Sequence, residues 1–207
     1  MDIDLSNYVR IGRYDLPEPT RTVAPANNLL AQEVSAVTYN WDTDSLFVVG
    51  DGGTSITQIS KTGQLIDTMT LAQGSSPQGT EFYDPEGLTY IGNGQFVMTE
   101  ERDRNAVLFT YQAGTTLTRA NAQTAHLGTN VGNIGLEGLS YDTQTGGFIF
   151  AKEKGPEGIP PAPDLPAFKA AYRNNLRQSF RQRRSRPRPC DRSARRVRAG
   201  PRAAAHS

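Results

Sequence analysis

The feature that most constrains this chain is an internal repeat with a period of 51 residues. Three similar segments end in tyrosines at that spacing: Ser35-Ala-Val-Thr-Tyr39, Glu86-Gly-Leu-Thr-Tyr90 and Glu137-Gly-Leu-Ser-Tyr141. Each segment is followed by a turn and then by a strand-like run, at residues 45–51, 95–101 and 147–153. A fixed period of about 40 to 50 residues built from short strands is typical of β-propeller blades.

The repeat predicts an all-β fold, a partial β-propeller of about two and a half four-stranded blades. Blade one is expected at residues 35–71 and blade two at residues 86–127, with its fourth strand somewhere in 116–127. Only the first half of blade three follows, and residues 8–14 are a candidate outer strand. Propellers typically have four to eight blades, and an open array leaves one blade face uncovered. We therefore expect the chain to be a fragment of a propeller.

The composition divides the chain near residue 158. Residues 1–158, the predicted propeller part, carry nine basic and nineteen acidic side chains, a net charge of −10. Residues 159–207 carry thirteen basic and two acidic side chains, a net charge of +11, so the total of +1 conceals the division. The second part has too few apolar side chains to offset the entropy of ordering and is predicted to be disordered. Its Arg, Pro and Ala content leads us to hypothesise a frameshift near Gly158.

Several classes of protein are excluded by what the sequence lacks. No apolar run approaches the roughly 20 residues of a membrane-spanning helix, and the acidic start Met1-Asp-Ile-Asp does not resemble a secretory signal peptide. The single Cys190 excludes an internal disulfide framework. The chain has neither a phosphate-binding loop nor a serine-hydrolase elbow. The arginines of the second part would bind polyanions in a salt-dependent way, but no nucleic-acid-binding module accompanies them, so we expect no specific nucleic-acid partner.

The hairpins of the three blades predict a cluster of carboxylates. In an antiparallel hairpin, the first residue of one strand lies beside the last residue of its partner. Turn-forming residues stand at the midpoints of all three hairpins, around Thr43, Asn93 and Thr145. Five positions should therefore gather on one edge, here called the acidic rim: Asp51, Glu86, Glu100 or Glu101, Glu137 and Glu153.

Clustered carboxylates repel one another unless a cation neutralises them. Calcium, which takes six to eight oxygen ligands in flexible geometry, suits such a set. The candidate metal ligands are Glu86, Glu137, Glu100 and Glu153, followed by Asp51, because blade one has Ser35 where the others have Glu. The alternative is a structural network in which backbone N–H groups and nearby basic side chains satisfy the carboxylates.

The two copies of Glu-Gly-Leu-[Ser/Thr]-Tyr, each followed by a strand that ends in an acidic residue, carry a family resemblance. The run from Asp84 to Arg102 and its echo from Gly135 to Glu153 resemble the SdiA-regulated, YjiK-like and esterase-like phytase β-propellers. The resemblance covers residues 5–158. It implies a bacterial cell-envelope or secreted protein that binds calcium, and localisation rests on it alone.

Three functions stay open at this point. The chain could belong to a calcium-binding propeller of undetermined activity, to a calcium-dependent phosphoester hydrolase, or to a non-catalytic scaffold that binds an extracellular protein. A hydrolase would act on a small phosphorylated molecule through a metal-bound water and basic side chains, for which Arg102, Arg104, Lys152 and Lys154 are candidates. We expect the truncated chain itself to be inactive, and the sequence leaves its oligomeric state open.

Overall fold

A computed structural model describes residues 4–17, 30–128 and 135–152. These residues contain no α-helix; they form eleven β-strands and two short 3-10 turns. The predicted basic part, residues 159–207, and Glu153 lie outside the described residues. No helix among the described residues is long and apolar enough to cross a membrane.

The strands form three sheets that follow the predicted blades. Blade one consists of β1 (Val34–Asn40), β2 (Ser45–Gly50), β3 (Ser55–Ile59) and β4 (Leu65–Leu71). Blade two consists of β5 (Pro85–Gly92), β6 (Gln95–Glu100), β7 (Asn105–Thr110) and β9 (Gln123–His126). The described part of blade three is the hairpin of β10 (Leu136–Asp142) and β11 (Gly147–Lys152). Neighbouring strands within each blade are antiparallel. The prediction of an all-β, partial propeller is confirmed.

Two details differ from the sequence prediction. Residues 116–127 do not form one strand of blade two, because β8 (Thr116–Leu117) pairs in parallel with β4 and so joins the sheet of blade one. A 3-10 turn at Arg119–Asn121 then separates β8 from β9. Residues 8–14 form no strand.

The hairpin turns explain why the strands pair in the predicted order. Between β5 and β6, Asn93 and Gly94 both have positive φ angles, 54° and 73°. That is the conformation of a turn that matches the twist of the flanking strands, and Asn followed by Gly adopts it most readily. Asp44 in the first hairpin and Gly146 in the third also have positive φ angles, of 53° and 74°.

Apolar side chains fill the spaces between successive blades. One cluster joins blades one and two around Phe47, Leu88 and Phe96, and a second joins blades two and three around Val97, Phe148 and Phe150. The first strands of the blades lie side by side, since β5 contacts both β1 and β10. The backbone N–H of Tyr90 donates a hydrogen bond of 3.1 Å to the Thr38 hydroxyl. The blades therefore stack through their first two strands.

We expect Leu88→Ala to lower the free energy of unfolding by about 2–5 kcal/mol, because it opens a cavity in the first of these clusters. The matched control is Val37→Ala at the equivalent position of the preceding repeat, where the side chain is 62% exposed and Leu88 is only 4% exposed. In dilute protein the control should change stability by less than about 0.5 kcal/mol. Urea denaturation of both variants measures the difference, and equal losses would contradict the packing described here.

Candidate metal centre at the acidic rim

A β-bulge occurs at the start of the first strand in each of the three blades that the structure describes. In blade two, Pro85 pairs with Glu100 and Gly87 pairs with Thr99, so Glu86 is an extra residue. Ser35 of blade one and Glu137 of blade three occupy the same place in their hairpins. The expected pairing of Glu86 with Glu100 is therefore wrong by one residue. A bulge turns its extra side chain in a new direction, and the bulge recurs at all three equivalent positions.

Three acidic side chains meet where blades one and two adjoin. Asp51 directly follows β2, Asp84 directly precedes β5, and Glu86 is the bulge residue. One carboxylate oxygen from each lies within 4.8 Å of the others, and we call this group the carboxylate cluster. Asp84 is buried, whereas Asp51 and Glu86 are half-buried. The structure thus brings together two of the predicted ligands and adds Asp84.

Asp84 is held from several sides. Its φ angle is +58°, and its carbonyl accepts a hydrogen bond of 2.9 Å from the Glu101 N–H. Its Oδ2 accepts a charged hydrogen bond of 2.5 Å from Nε of Arg102. The Arg102 guanidinium also lies 5.4 Å from the centroid of the Tyr83 ring, a cation–π contact. The Asp84 carboxylate is therefore oriented before any ligand arrives.

The side-chain carboxyl of Glu86 has a raised pKa and keeps its proton to a higher pH than an ordinary glutamate. Burial raises the pKa of its carboxyl from 4.5 to about 7, and the negative charges of Glu137, Asp51 and Asp84 add to the increase. A hydrogen bond with the Ser35 side chain acts in the opposite direction and lowers the pKa. Ser35, which takes the place of a Glu in blade one, is thus a partner of Glu86 and does not add another negative charge.

Glu101 extends the group of carboxylates toward blade three. Its side chain is buried, and burial raises its pKa to about 7. The N–H of Gly135 donates a hydrogen bond of 3.0 Å to its Oε1 and lowers the pKa. A hydrogen bond with Asp84 and the charges of Asp84 and Glu137 raise it. Of the two alternatives considered for this position, Glu101 is the one that neighbours the carboxylate cluster.

Glu100 has a different environment. It is fully buried, and its Oε1 accepts a hydrogen bond of 2.7 Å from the Tyr83 N–H and forms an ion pair with Arg119. Its Oε2 accepts a hydrogen bond of 2.9 Å from the Asn105 amide. Both oxygens are therefore engaged by protein donors, and Glu100 does not belong to the carboxylate cluster. Its assignment as a metal ligand stays a prediction.

Glu137 and Glu153 are the remaining predicted ligands. Glu137 is exposed and close enough to raise the pKa values of Glu86 and Glu101, but it lies outside the group of three oxygens. Glu153 lies outside the described residues. Sequence reasoning missed Asp84, although the repeat contained a signal: another acidic residue, Glu33, stands 51 residues earlier. In the structure both residues have positive φ angles, 49° for Glu33 and 58° for Asp84.

Comparison with known proteins identifies the family. The SdiA-regulated family matches residues 19–185, and the chain belongs to it. The match extends beyond residue 158 into the basic part, and the domain boundary at that residue stays a prediction.

One solved structure that matches is the crystal structure of selenomethionine-substituted virginiamycin B lyase from Staphylococcus aureus. The two share 13% sequence identity with a TM-score of 0.38, over 65% of this chain and 43% of the lyase chain. This chain thus spans less than half the length of the protein it matches.

We expect Glu100→Gln to lower the free energy of unfolding by about 2–3 kcal/mol, because it removes the charge that a partly exposed Arg119 pairs with. The matched control is Glu137→Gln at an exposed carboxylate, which should change stability by less than about 0.5 kcal/mol. Chemical denaturation without added metal measures both variants. An unchanged stability for Glu100→Gln would contradict the structural role.

Proposed function

We propose that this chain is part of an extracytoplasmic propeller whose carboxylate cluster binds calcium. The observation that carries the proposal is the approach of Asp51, Asp84 and Glu86 to within 4.8 Å of one another through their oxygens. Three carboxylates at that separation repel one another, whereas a divalent cation bound between them would turn the repulsion into attraction.

The donor set fits a hard cation. All three candidate ligands offer carboxylate oxygen, and no nitrogen or sulfur ligand belongs to the group, which favours calcium or magnesium over zinc or copper. Calcium accepts carboxylates from loops with irregular spacing, whereas magnesium requires near-ideal octahedral geometry. Two of the ligands come from segments that flank strands and one from a bulge, so calcium is the better fit.

The protonation of Glu86 supports the same proposal. Burial raises the pKa of Glu86 to about 7, and the negative charges of Glu137, Asp51 and Asp84 add to the increase. Calcium would displace the proton and take its place, while Glu101 and Glu137 would add to the attraction at longer range. Arg102 compensates the negative charge of Asp84, and the carboxylate cluster as a whole keeps a net negative charge at neutral pH.

The extracytoplasmic assignment rests on the family and on the kind of site. Membership of the SdiA-regulated family supports it through the resemblance to cell-envelope propellers. Calcium sites in extracellular modules commonly bind with dissociation constants of about 0.1–1 mM. A cluster with three carboxylates, one of them already paired with an arginine, is suited to that weak range.

The hydrolase alternative has less support. A phosphoester hydrolase needs basic side chains that are available to the phosphate. Arg102, the described candidate nearest to the carboxylate cluster in sequence, already pairs with Asp84. Lys154 lies outside the described residues, as does the side chain of Lys152.

We expect calcium to raise the melting temperature of the full chain and to bind with measurable heat in calorimetry. Asp51→Asn and Glu86→Gln should each weaken calcium affinity by about tenfold or more, since each removes a charged ligand. Asp44→Asn is the matched control, because this exposed carboxylate lies in the turn at the opposite end of blade one and pairs with Lys61. Unchanged affinity in both rim variants would contradict the proposal.

We also expect stability without metal to fall as the pH rises from about 4.5 to about 7. Glu86 and Glu101 keep their protons in the folded chain up to a pKa of about 7, whereas the ordinary value is 4.5. The folded state therefore binds more protons across that interval, and raising the pH favours the unfolded state. Calcium should reverse the trend at neutral pH, and Glu86→Gln should reduce the slope in thermal melts. A flat pH profile for the parent chain would contradict the assigned protonation.

A further inference from the structure

Asp84 enters the carboxylate cluster from a stretch of chain that lies between β4 and β5. We call the three residues directly before it, residues 81–83, the connecting segment. The φ angle of Asp84 is +58°, a conformation that few residues besides glycine, asparagine and aspartate adopt. Because no strand pairing fixes the connecting segment, its side-chain contacts contribute to where the Asp84 backbone lies. They therefore bear on whether its carboxylate reaches Asp51 and Glu86.

Arg119 contacts every residue of the connecting segment, either directly or through Glu100. Its backbone N–H donates a hydrogen bond of 2.6 Å to Oε2 of Glu81, and its Nη2 donates one of 3.0 Å to the Glu81 carbonyl. Its guanidinium carbon lies 4.5 Å from the centroid of the Phe82 ring, a cation–π contact. Its Nη2 also pairs with Oε1 of Glu100, the oxygen that accepts the Tyr83 N–H at 2.7 Å. One side chain thus ties the connecting segment to the end of β6.

Arg119 is itself anchored beside blade one. It follows β8, which pairs with β4 and whose Leu117 is fully buried. The Leu117 carbonyl accepts a hydrogen bond of 2.8 Å from the Ala72 N–H, and the Ala72 carbonyl accepts one of 2.8 Å from the Glu81 N–H. Thr118 caps the 3-10 turn in which Arg119 lies. Arg119 therefore reaches the connecting segment from a fixed position on the blade that also supplies one member of the carboxylate cluster.

We propose that Arg119 is a positioning residue for the cation site, which holds the connecting segment so that the Asp84 carboxylate reaches the carboxylate cluster. Its task differs from that of Arg102, which pairs with the Asp84 carboxylate and orients the ligand itself. Arg119 acts on the backbone that leads to that ligand and is not a member of the carboxylate cluster. The inference rests on the proposed function, because the cation concerned is the one that the same three carboxylates would bind.

The positive charge of Arg119 gives this role a distinctive sign. A positive charge repels calcium, so a residue that acted only through its charge would tighten calcium binding when it was removed. A residue that only stabilised the fold would lower the free energy of unfolding when removed and leave the calcium affinity of the folded chain unchanged. A positioning residue predicts weaker calcium binding in spite of the lost positive charge.

The test is calorimetric titration of the full chain with calcium, at a temperature at which circular dichroism shows the parent and the variants folded. We expect Arg119→Gln to weaken calcium affinity by about tenfold or more, as is typical when a residue that orients a metal ligand is lost. Leu108→Ala is the matched control for stability, because this side chain of β7 is buried in the apolar cluster between blades two and three. Lys61→Gln is the matched control for charge, because Lys61 is exposed and pairs with Asp44. Both controls should keep the calcium affinity of the parent.

Arg119→Lys serves where Arg119→Gln does not fold. Lysine keeps a positive charge for Glu100 but lacks the planar guanidinium that donates in fixed directions and lies over Phe82, so we expect calcium affinity to fall by about threefold. In that case a calcium affinity equal to that of the parent would overturn the positioning role.

Asp84→Gly identifies the ligand through which Arg119 acts. Glycine accepts the positive φ angle at this position, and Gly135 is the equivalent residue 51 positions later. If Arg119 acts through Asp84, adding Arg119→Gln to Asp84→Gly should weaken calcium affinity no further, and additive losses would overturn the proposal. Europium, a hard cation that can replace calcium at oxygen sites, provides a second readout. Its luminescence lifetimes in H2O and D2O should show about one more bound water in Arg119→Gln and in Asp84→Gly than in the parent, because each loses a carboxylate ligand.

The positioning role and the proposed function fail in different ways. A parent chain that binds no calcium would overturn the proposed function and this inference with it. A parent chain that binds calcium, together with an Arg119→Gln variant that binds it equally well or more tightly, would overturn the positioning role alone.

Discussion

Tyr90 shows how one blade is fixed to the next. Its ring packs edge-on against Trp41 with centroids 4.5 Å apart, its hydroxyl donates a hydrogen bond to Asp42, and its N–H donates to Thr38. Apolar contact, a charged acceptor and a backbone hydrogen bond thus converge on one residue of β5. Because these contacts set the distance between the first strands, they also set the distance between the strand ends where the carboxylates meet. The carboxylate cluster depends on this stacking, since Asp51 belongs to blade one whereas Asp84 and Glu86 belong to the junction with blade two.

Much of the fold could be predicted from the sequence because its determinants are local. Turn residues such as Asn93 and Gly94 fix the hairpins, and a period of 51 residues places each hairpin at the same point of its blade. Alternating apolar residues then decide which surface of each sheet is buried. The approach of Asp51 and Glu86 follows from the same regularity, which is why two predicted ligands come together.

The remaining features depend on contacts that are distant in sequence. The bulges at Ser35, Glu86 and Glu137 shift the pairing by one residue, and nothing in the local pattern indicates them. Glu100 is engaged by Arg119, a residue of the 3-10 turn between β8 and β9, whereas the repeat predicts that turn to be part of a strand. Glu101 lies beside the carboxylate cluster because it accepts a hydrogen bond from Gly135 of the following blade. A repeat predicts equivalent positions but not the separate partners that each one finds.

The central claim is that blade stacking brings carboxylates together to hold a cation. The most direct measurement is a crystal structure of the full chain grown with calcium, with anomalous diffraction data to identify the ion. The account predicts one anomalous peak bound by oxygens of Asp51, Asp84 and Glu86. A structure in which these carboxylates keep their separation and contact only water or basic side chains at saturating calcium would contradict it.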